Sequence, residues 1–135
     1  MITATLCLMI LCHIIDDFVL QNVLAKLKQK DWWTAQPEYN ELYQDDYKMA
    51  LFIHSLEWSI MIHLPLIFLW SFGGLGLFIS VALNTFIHYI VDDAKANKKT
   101  INLVLDQEIH FLQVFLTLLV FMVVGLLTDF EAWVQ

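Results

Sequence analysis

The sequence predicts an all-α protein, a four-helix transmembrane bundle with a polar interfacial loop between its first and second helices. Three observations carry that reading. Of the 135 residues, 59% are hydrophobic and 16% charged, against roughly 45–50% and about 25% in a soluble domain. The apolar residues fall into four runs, each close to the ~20 residues that cross a bilayer. All the cationic side chains are lysines, with no arginine, and they gather in the polar connections between those runs. A soluble enzyme with a large aqueous domain and a disordered chain are both excluded. A net charge of −7 speaks against a nucleic-acid partner.

Residues 1–135 read as one membrane domain, with spans at about 2–24, 49–70, 75–91 and 103–127. The first run has no basic stretch before it and meets Asp16 and Asp17 where a small-residue cleavage site would stand, so it reads as a retained helix. Cys7 and Cys12 point about 140° apart on that helix and read as reduced, small hydrophobes. The connection from Lys26 to Tyr47 carries Trp32, Trp33, Pro37, Tyr39 and Tyr43, a mixture of aromatics and charges suited to the headgroup level. Gly73–Gly74 marks a tight turn before the third run, and AKANKKT (Ala94–Thr100) is the polar turn before the fourth. Asp129 and Glu131 read as solvated charges closing the last helix.

The lysines fix an orientation. Lys26, Lys28, Lys30 and Lys48 flank the first connection and Lys95, Lys98 and Lys99 lie in or beside the third, while the glycine turn and both termini carry none. Basic residues in short loops stay cytoplasmic. The expectation is a multi-pass protein with both termini outside and both lysine-rich loops in the cytoplasm.

Ionisable groups inside a span cost several kcal/mol and imply a partner or a function. Three spans pair a histidine with an aspartate four residues away: His13 with Asp17, His88 with Asp92, and Asp106 with His110; the second span adds His54. That spacing stacks both groups on one helix face. The odd spans end, and the even spans begin, on the lysine-rich side, so all seven groups fall at one depth in one leaflet. Gln21, Gln113 and Lys95 continue the same faces as groups that support the ligands or contact substrate. Glu57 is a candidate extra ligand. His63, half a revolution from His54, reads as an isolated packing or lipid-interface histidine, and Asp16 and Asp93 as boundary charges.

His13, then DFVLQ (Asp17–Gln21), His54, HYIVD (His88–Asp92) with Lys95, and DQEIH (Asp106–His110) stand in that order. The set resembles the bacterial and phage membrane proteins grouped as domain of unknown function 3307, across all four spans. The resemblance implies a small protein of the bacterial inner membrane and supplies no reaction. It implies that Asp17 and Asp92, not Asp16 and Asp93, are the inward members of their pairs. Glu57 and the acidic loop with Trp32 and Trp33 fall outside its pattern.

Imidazole with carboxylate is the ligand set of zinc, and of iron or manganese in bundle cores. His13, Asp17, His54, His88, Asp92, Asp106 and His110 exceed the four ligands of one tetrahedral zinc, so the expectation is one or two divalent ions. In the leading reading, Asp17, Asp92 and Asp106 divide their work between ligation and acid–base catalysis in a hydrolase acting on an amphiphilic substrate among membrane lipids. Lys95 would meet an anionic headgroup. No G-x-S-x-G elbow surrounds Ser55 and no H-E-x-x-H motif occurs. The alternatives are a metal or proton transporter or channel subunit, which with four spans calls for a homo-oligomer, and an interaction protein whose cluster is structural. A scarcity of polar residues deeper in the spans weighs against a through-path.

Overall fold

In the computed structural model the backbone is described for residues 1–38, 41–70 and 74–134, and the side chains as far as residue 126. Among the described residues the protein is all-helical. Helix α1 (Ile2–Ile15) runs into a π-helical turn (Asp16–Leu20), followed by two short helices, α2 (Leu24–Leu27) and α3 (Lys30–Thr34). Three long helices complete the chain: α4 (Asp46–Trp70), α5 (Gly74–Ala96) and α6 (Leu103–Val134). Among the described residues four segments are long and apolar enough to cross a bilayer: Ile2–Leu20, Glu41–Trp70, Gly74–Ala96 and Leu103–Leu126. The chain is a membrane protein. Tyr39, Gly73 and the side chains of Asp129 and Glu131 lie outside the described residues.

The bundle closes as a ring: α1 packs on α4, α4 on α5, α5 on α6 and α6 back on α1. Met9, Trp58, Ile62, Leu66, Val114, Leu118 and Phe121 fill its core. Large apolar side chains such as Phe68, Phe78, Leu83 and Phe86 face outward, the surface a bilayer solvates. Apolar burial drives helices together weakly in lipid, so close packing and interhelical hydrogen bonds set the arrangement. Ser59 Oγ donates to the Val81 carbonyl at 2.8 Å, joining α4 to α5, and Trp70 Nε1 donates to Thr5 Oγ1 at 3.0 Å, joining α4 to α1.

The first span ends sooner than the sequence suggests. After Leu20 the chain leaves the helix, and Asn22 takes φ of +31°, a conformation asparagine tolerates better than most residues. Helix α2 then folds back against α4, so Lys28 returns to the bundle instead of entering water. Asn97 latches this return, donating to the Lys28 carbonyl at 3.1 Å and accepting from the Lys30 amide at 2.7 Å. Trp33 Nε1 adds a bond to the Leu27 carbonyl at 2.7 Å. At the other polar turn Asn102 caps α6, its Oδ1 accepting from the Leu105 amide at 2.9 Å.

Candidate metal centre

One turn of helix builds the first half of the centre. The Gln21 amide bonds to the Asp16 carbonyl, five residues back, at 3.0 Å. This wider π turn lets two successive carboxylates face inward, so Asp16 and Asp17 are both buried. Regular helical spacing would turn one of them away, and that is why Asp16, read as a boundary charge, is an interior residue. Asp93 does stand at the boundary, where it holds Asn97 and Lys98.

Helices α4, α5 and α6 supply the rest. His54, His88, Asp92, Asp106 and His110 have at most 1% of their surface exposed. His54 Nε2 lies 3.3 Å from Asp17 Oδ1, from Asp92 Oδ2 and from His88 Nε2. His88 Nε2 is 3.8 Å from Asp92 Oδ2. His110 Nε2 is 3.6 Å from Asp92 Oδ1 and 3.4 Å from Asp106 Oδ1. The two oxygens of Asp92 therefore face different imidazoles.

These separations suit a metal better than they suit hydrogen bonds. A tetrahedral ion with bonds of about 2.0–2.1 Å sets its ligand atoms about 3.3–3.4 Å apart. Among the described residues three groups bring ligand atoms within 4.8 Å of one another: Asp17 with His54 and His88, His88 with Asp92 and His110, and Asp17 with Asp106 and His110. Among the described residues His54 Nδ1, His88 Nδ1, His110 Nε2, Asp92 Oδ1, Asp106 Oδ1 and both oxygens of Asp16 are buried without a hydrogen-bond partner. Such groups cost about 1–3 kcal/mol each when nothing satisfies them, and more when charged.

The surroundings orient the imidazoles. His110 Nδ1 lies 3.3 Å from Gln113 Oε1, an acceptor, so Nδ1 carries the proton and Nε2 presents its lone pair to Asp92 and Asp106. Asp16 Oδ2 stands 3.8 Å behind His54 Nδ1, the place a carboxylate takes behind a ligating histidine. The Gln21 amide nitrogen donates to Asp17 Oδ1 at 3.1 Å and lies 3.0 Å from His54 Nε2. Trp58 stacks on His88 at 4.2 Å between ring centroids, and His88 on His110 at 4.1 Å.

His13 is employed differently from the expectation. Trp58 Nε1 donates to its Nδ1 at 2.7 Å, which leaves the proton on Nε2, and Nε2 reaches Gln107 Oε1 at 3.1 Å. Both nitrogens are spent, and His13 joins none of the ligand groups. It steadies Gln107, which donates to Asp17 Oδ2 at 2.7 Å and to Asp106 Oδ2 at 3.0 Å. Glu57, the candidate extra ligand, also joins none of the groups; it lies on an outer face with Ile53, Leu56, Ile60 and Met61. Ser55 spends its hydroxyl on the Leu51 carbonyl.

Two lysines enter the centre. Lys95 Nζ meets Asp106 Oδ2 at 2.5 Å, as the helical continuation from Asp92 allowed. Lys28 Nζ meets Asp92 Oδ2, also at 2.5 Å, with only 5% of its side chain exposed. Nothing in the spacing of Lys28 announces this, because its position depends on the re-entrant α2. Gln107 and Trp58 were missed too: Gln107 stands one residue off the face shared by Asp106, His110 and Gln113, and Trp58 reads as an apolar packing side chain.

The polar content does extend deeper than the sequence reading held. From Gln113 a hydrogen-bonded track runs to Asn84 and Thr117, and Asn84 donates to the Ser80 carbonyl at 3.1 Å. Ser80 Oγ in turn reaches His63 Nε2 at 2.8 Å. His63 is thus a buried packing histidine, not a lipid-interface one. No protein family, curated protein or solved structure matches the chain.

Proposed function

We propose that this chain is a membrane-embedded metalloprotein whose bundle core holds one or two divalent ions, zinc foremost, to hydrolyse an amphiphilic substrate. The observation that carries the proposal is the convergence of His54, His88 and His110 Nε2 on Asp17, Asp92 and Asp106 at 3.3–3.8 Å, with several of these atoms otherwise unpartnered. A bound divalent ion supplies Lewis acidity and a water acidic enough to ionise at about pH 7. His54, His88 and His110 would hold it with Asp17, Asp92 and Asp106. Asp92 presents one oxygen to each side of the centre, which suits two neighbouring ions. Asp106, a sealed carboxylate joined to the part-exposed Lys95, would share the acid–base work with Asp17 and Asp92.

The lysine distribution supports a centre in the cytoplasmic leaflet with both termini outside, and the bacterial inner membrane is what the family resemblance implies. The ordered motifs support kinship with the domain of unknown function 3307 proteins. Elemental analysis of detergent-purified protein tests the centre: one to two equivalents of a divalent metal are expected. Less than a tenth of an equivalent, with helical content intact, overturns it.

A second reading, passage of a cation or proton, is favoured by one observation, the track from Gln113 through Asn84 to Ser80 and His63. Flux of zinc or protons into reconstituted vesicles that Asn84→Leu abolishes, without loss of bound metal, would establish it over the hydrolase.

A further inference from the structure

The seam between α5 and α6 differs from its neighbour between α4 and α5. Leu83, Ile87, Leu116 and Val120 wall a groove on its outer side. Three of these walls are widely exposed, Leu83 at 57%, Leu116 at 47% and Val120 at 56%. The floor is polar: Asn84 Nδ2 donates to Thr117 Oγ1 at 3.0 Å, and Gln113 Nε2 to Asn84 Oδ1 at 3.3 Å. Because Gln113 also accepts from His110, the floor is continuous with the metal centre.

Toward the lysine-rich end the same seam is crossed by the Lys95–Asp106 pair, roughly 10–12 Å from Ile87 and Gln113 by helix rise. The Lys95 side chain is 28% exposed, while the ligands around it are sealed. The part-exposed Lys95 of that pair therefore stands at the mouth with the ligand cluster beside it, and the apolar-walled groove begins about two helical turns further into the membrane. The groove between α4 and α5, lined by Phe52, Leu56, Phe78, Phe86 and Tyr89, has none of the ligand residues or their hydrogen-bonded neighbours in its lining, and the hydroxyl of Thr85 in its wall is spent on the Val81 carbonyl.

We infer that the α5–α6 seam is the lateral binding site for an anionic membrane amphiphile, with its chain in the groove, its headgroup at Lys95 and its polar linkage beside His110. Lys95 is the exposed member of its ion pair and Asp106 the sealed one, so the mouth turns its cationic side outward and suits an anionic head. A flexible chain also fits between two helices already in contact, whereas a helix of a second copy is about 10 Å wide. The inference names the substrate class for the hydrolase proposed above and rests on that reading for the reaction, but binding itself needs no metal.

Photolabelling tests it. The full chain is reconstituted in phosphatidylcholine vesicles with a trace of phosphatidylglycerol or phosphatidylcholine bearing an acyl-chain diazirine, with and without EDTA, and the labelled residues are mapped. The anionic probe is expected to label Leu83, Ile87, Leu116 or Val120 roughly fivefold more than the zwitterionic one, the preference one lysine gives an anionic headgroup. Lys95→Gln brings that ratio to one. Leu83→Trp combined with Val120→Trp suppresses seam labelling and leaves labelling at Phe78 and Phe86 unchanged. Labelling without headgroup preference, labelling spread evenly over all outer faces, or crosslinks between copies that shield the seam each overturn the inference. Metal bound by protein whose seam stays unlabelled removes this inference alone; seam labelling in protein that holds no metal removes the proposed centre alone.

Discussion

His63 and His88 are both fully buried on adjacent helices of one bundle, yet their surroundings are opposite. His63 Nδ1 donates to the Ser59 carbonyl at 2.6 Å and its Nε2 accepts from Ser80 Oγ at 2.8 Å, so a neutral imidazole is fully satisfied. His88 Nδ1 has no hydrogen-bond partner, and its Nε2 faces another imidazole nitrogen and a carboxylate. Burial alone therefore says nothing about function. Unspent lone pairs turned toward buried carboxylates do, because a protein gains nothing by sealing such groups away from water unless something binds them.

Substituting the two histidines separates the regions most sharply. His88→Ala is expected to drop bound metal from stoichiometric to below a tenth of an equivalent. His63→Ala should keep the metal and instead lose about 1–3 kcal/mol of stability, the cost of leaving a buried polar group unpaired. Elemental analysis beside thermal unfolding in detergent reads both. Equal metal in the two variants would erase the distinction.

Lys28 gives the next largest effect. Its ammonium occupies Asp92 Oδ2, the oxygen that also faces His54 and His88. A divalent ion and this lysine compete for one carboxylate. Removing one partner of a buried pair costs about 3–5 kcal/mol, so Lys28→Met should lower the thermal midpoint of the metal-free protein. The same change should raise apparent metal affinity about tenfold or more, and saturating metal should restore much of the lost stability. Isothermal titration with zinc and melting with and without it measure the two halves. Unchanged affinity would mean that Lys28 and the ion do not share Asp92.

How far the two regions were legible follows from the same contrast. The i,i+4 pairs on α5 and α6 announced their half of the centre, because a regular helix converts spacing directly into a shared face. Asp16 was misread because a π turn changes the angle between successive residues, which no spacing rule for an α-helix contains. Lys28 was misread because a lysine just beyond an apolar run ordinarily stays in water, and only the break at Asn22 returns it to the core. His13 shares the spacing of the ligands, but Trp58, forty-five residues away in the chain, claims its Nδ1. The track through Ser80, Asn84 and Thr117 carries no charge and lay unseen among the apolar residues of two spans.

Trp58 offers a finer division inside the centre itself. Trp58→Phe leaves a smaller aromatic ring to stack on His88 and removes the N–H that fixes His13. The expected loss is about 1–3 kcal/mol of stability from a buried acceptor left unpaired, with metal content unchanged, since His13 holds Gln107 and not the ion. Loss of metal in this variant would move His13 back among the ligands.

The smallest effect belongs to an ion pair with neither property. Asp31 and Lys99 join two polar connections across the lysine-rich face, each more than half exposed. The hydrogen bond from Lys99 holds the Asp31 carboxyl below its ordinary range. What the pair adds to stability is therefore present above the unfolded carboxylate range and fades as pH falls through the folded value. Water and salt screen such a pair, so Asp31→Asn should leave both the thermal midpoint and the metal content where they were, at low and at high ionic strength. A clear drop in midpoint would show that the interfacial helices hold the re-entrant Lys28 in place through this pair, and the boundary between the solvated charges and the buried ones would then have to be drawn further out.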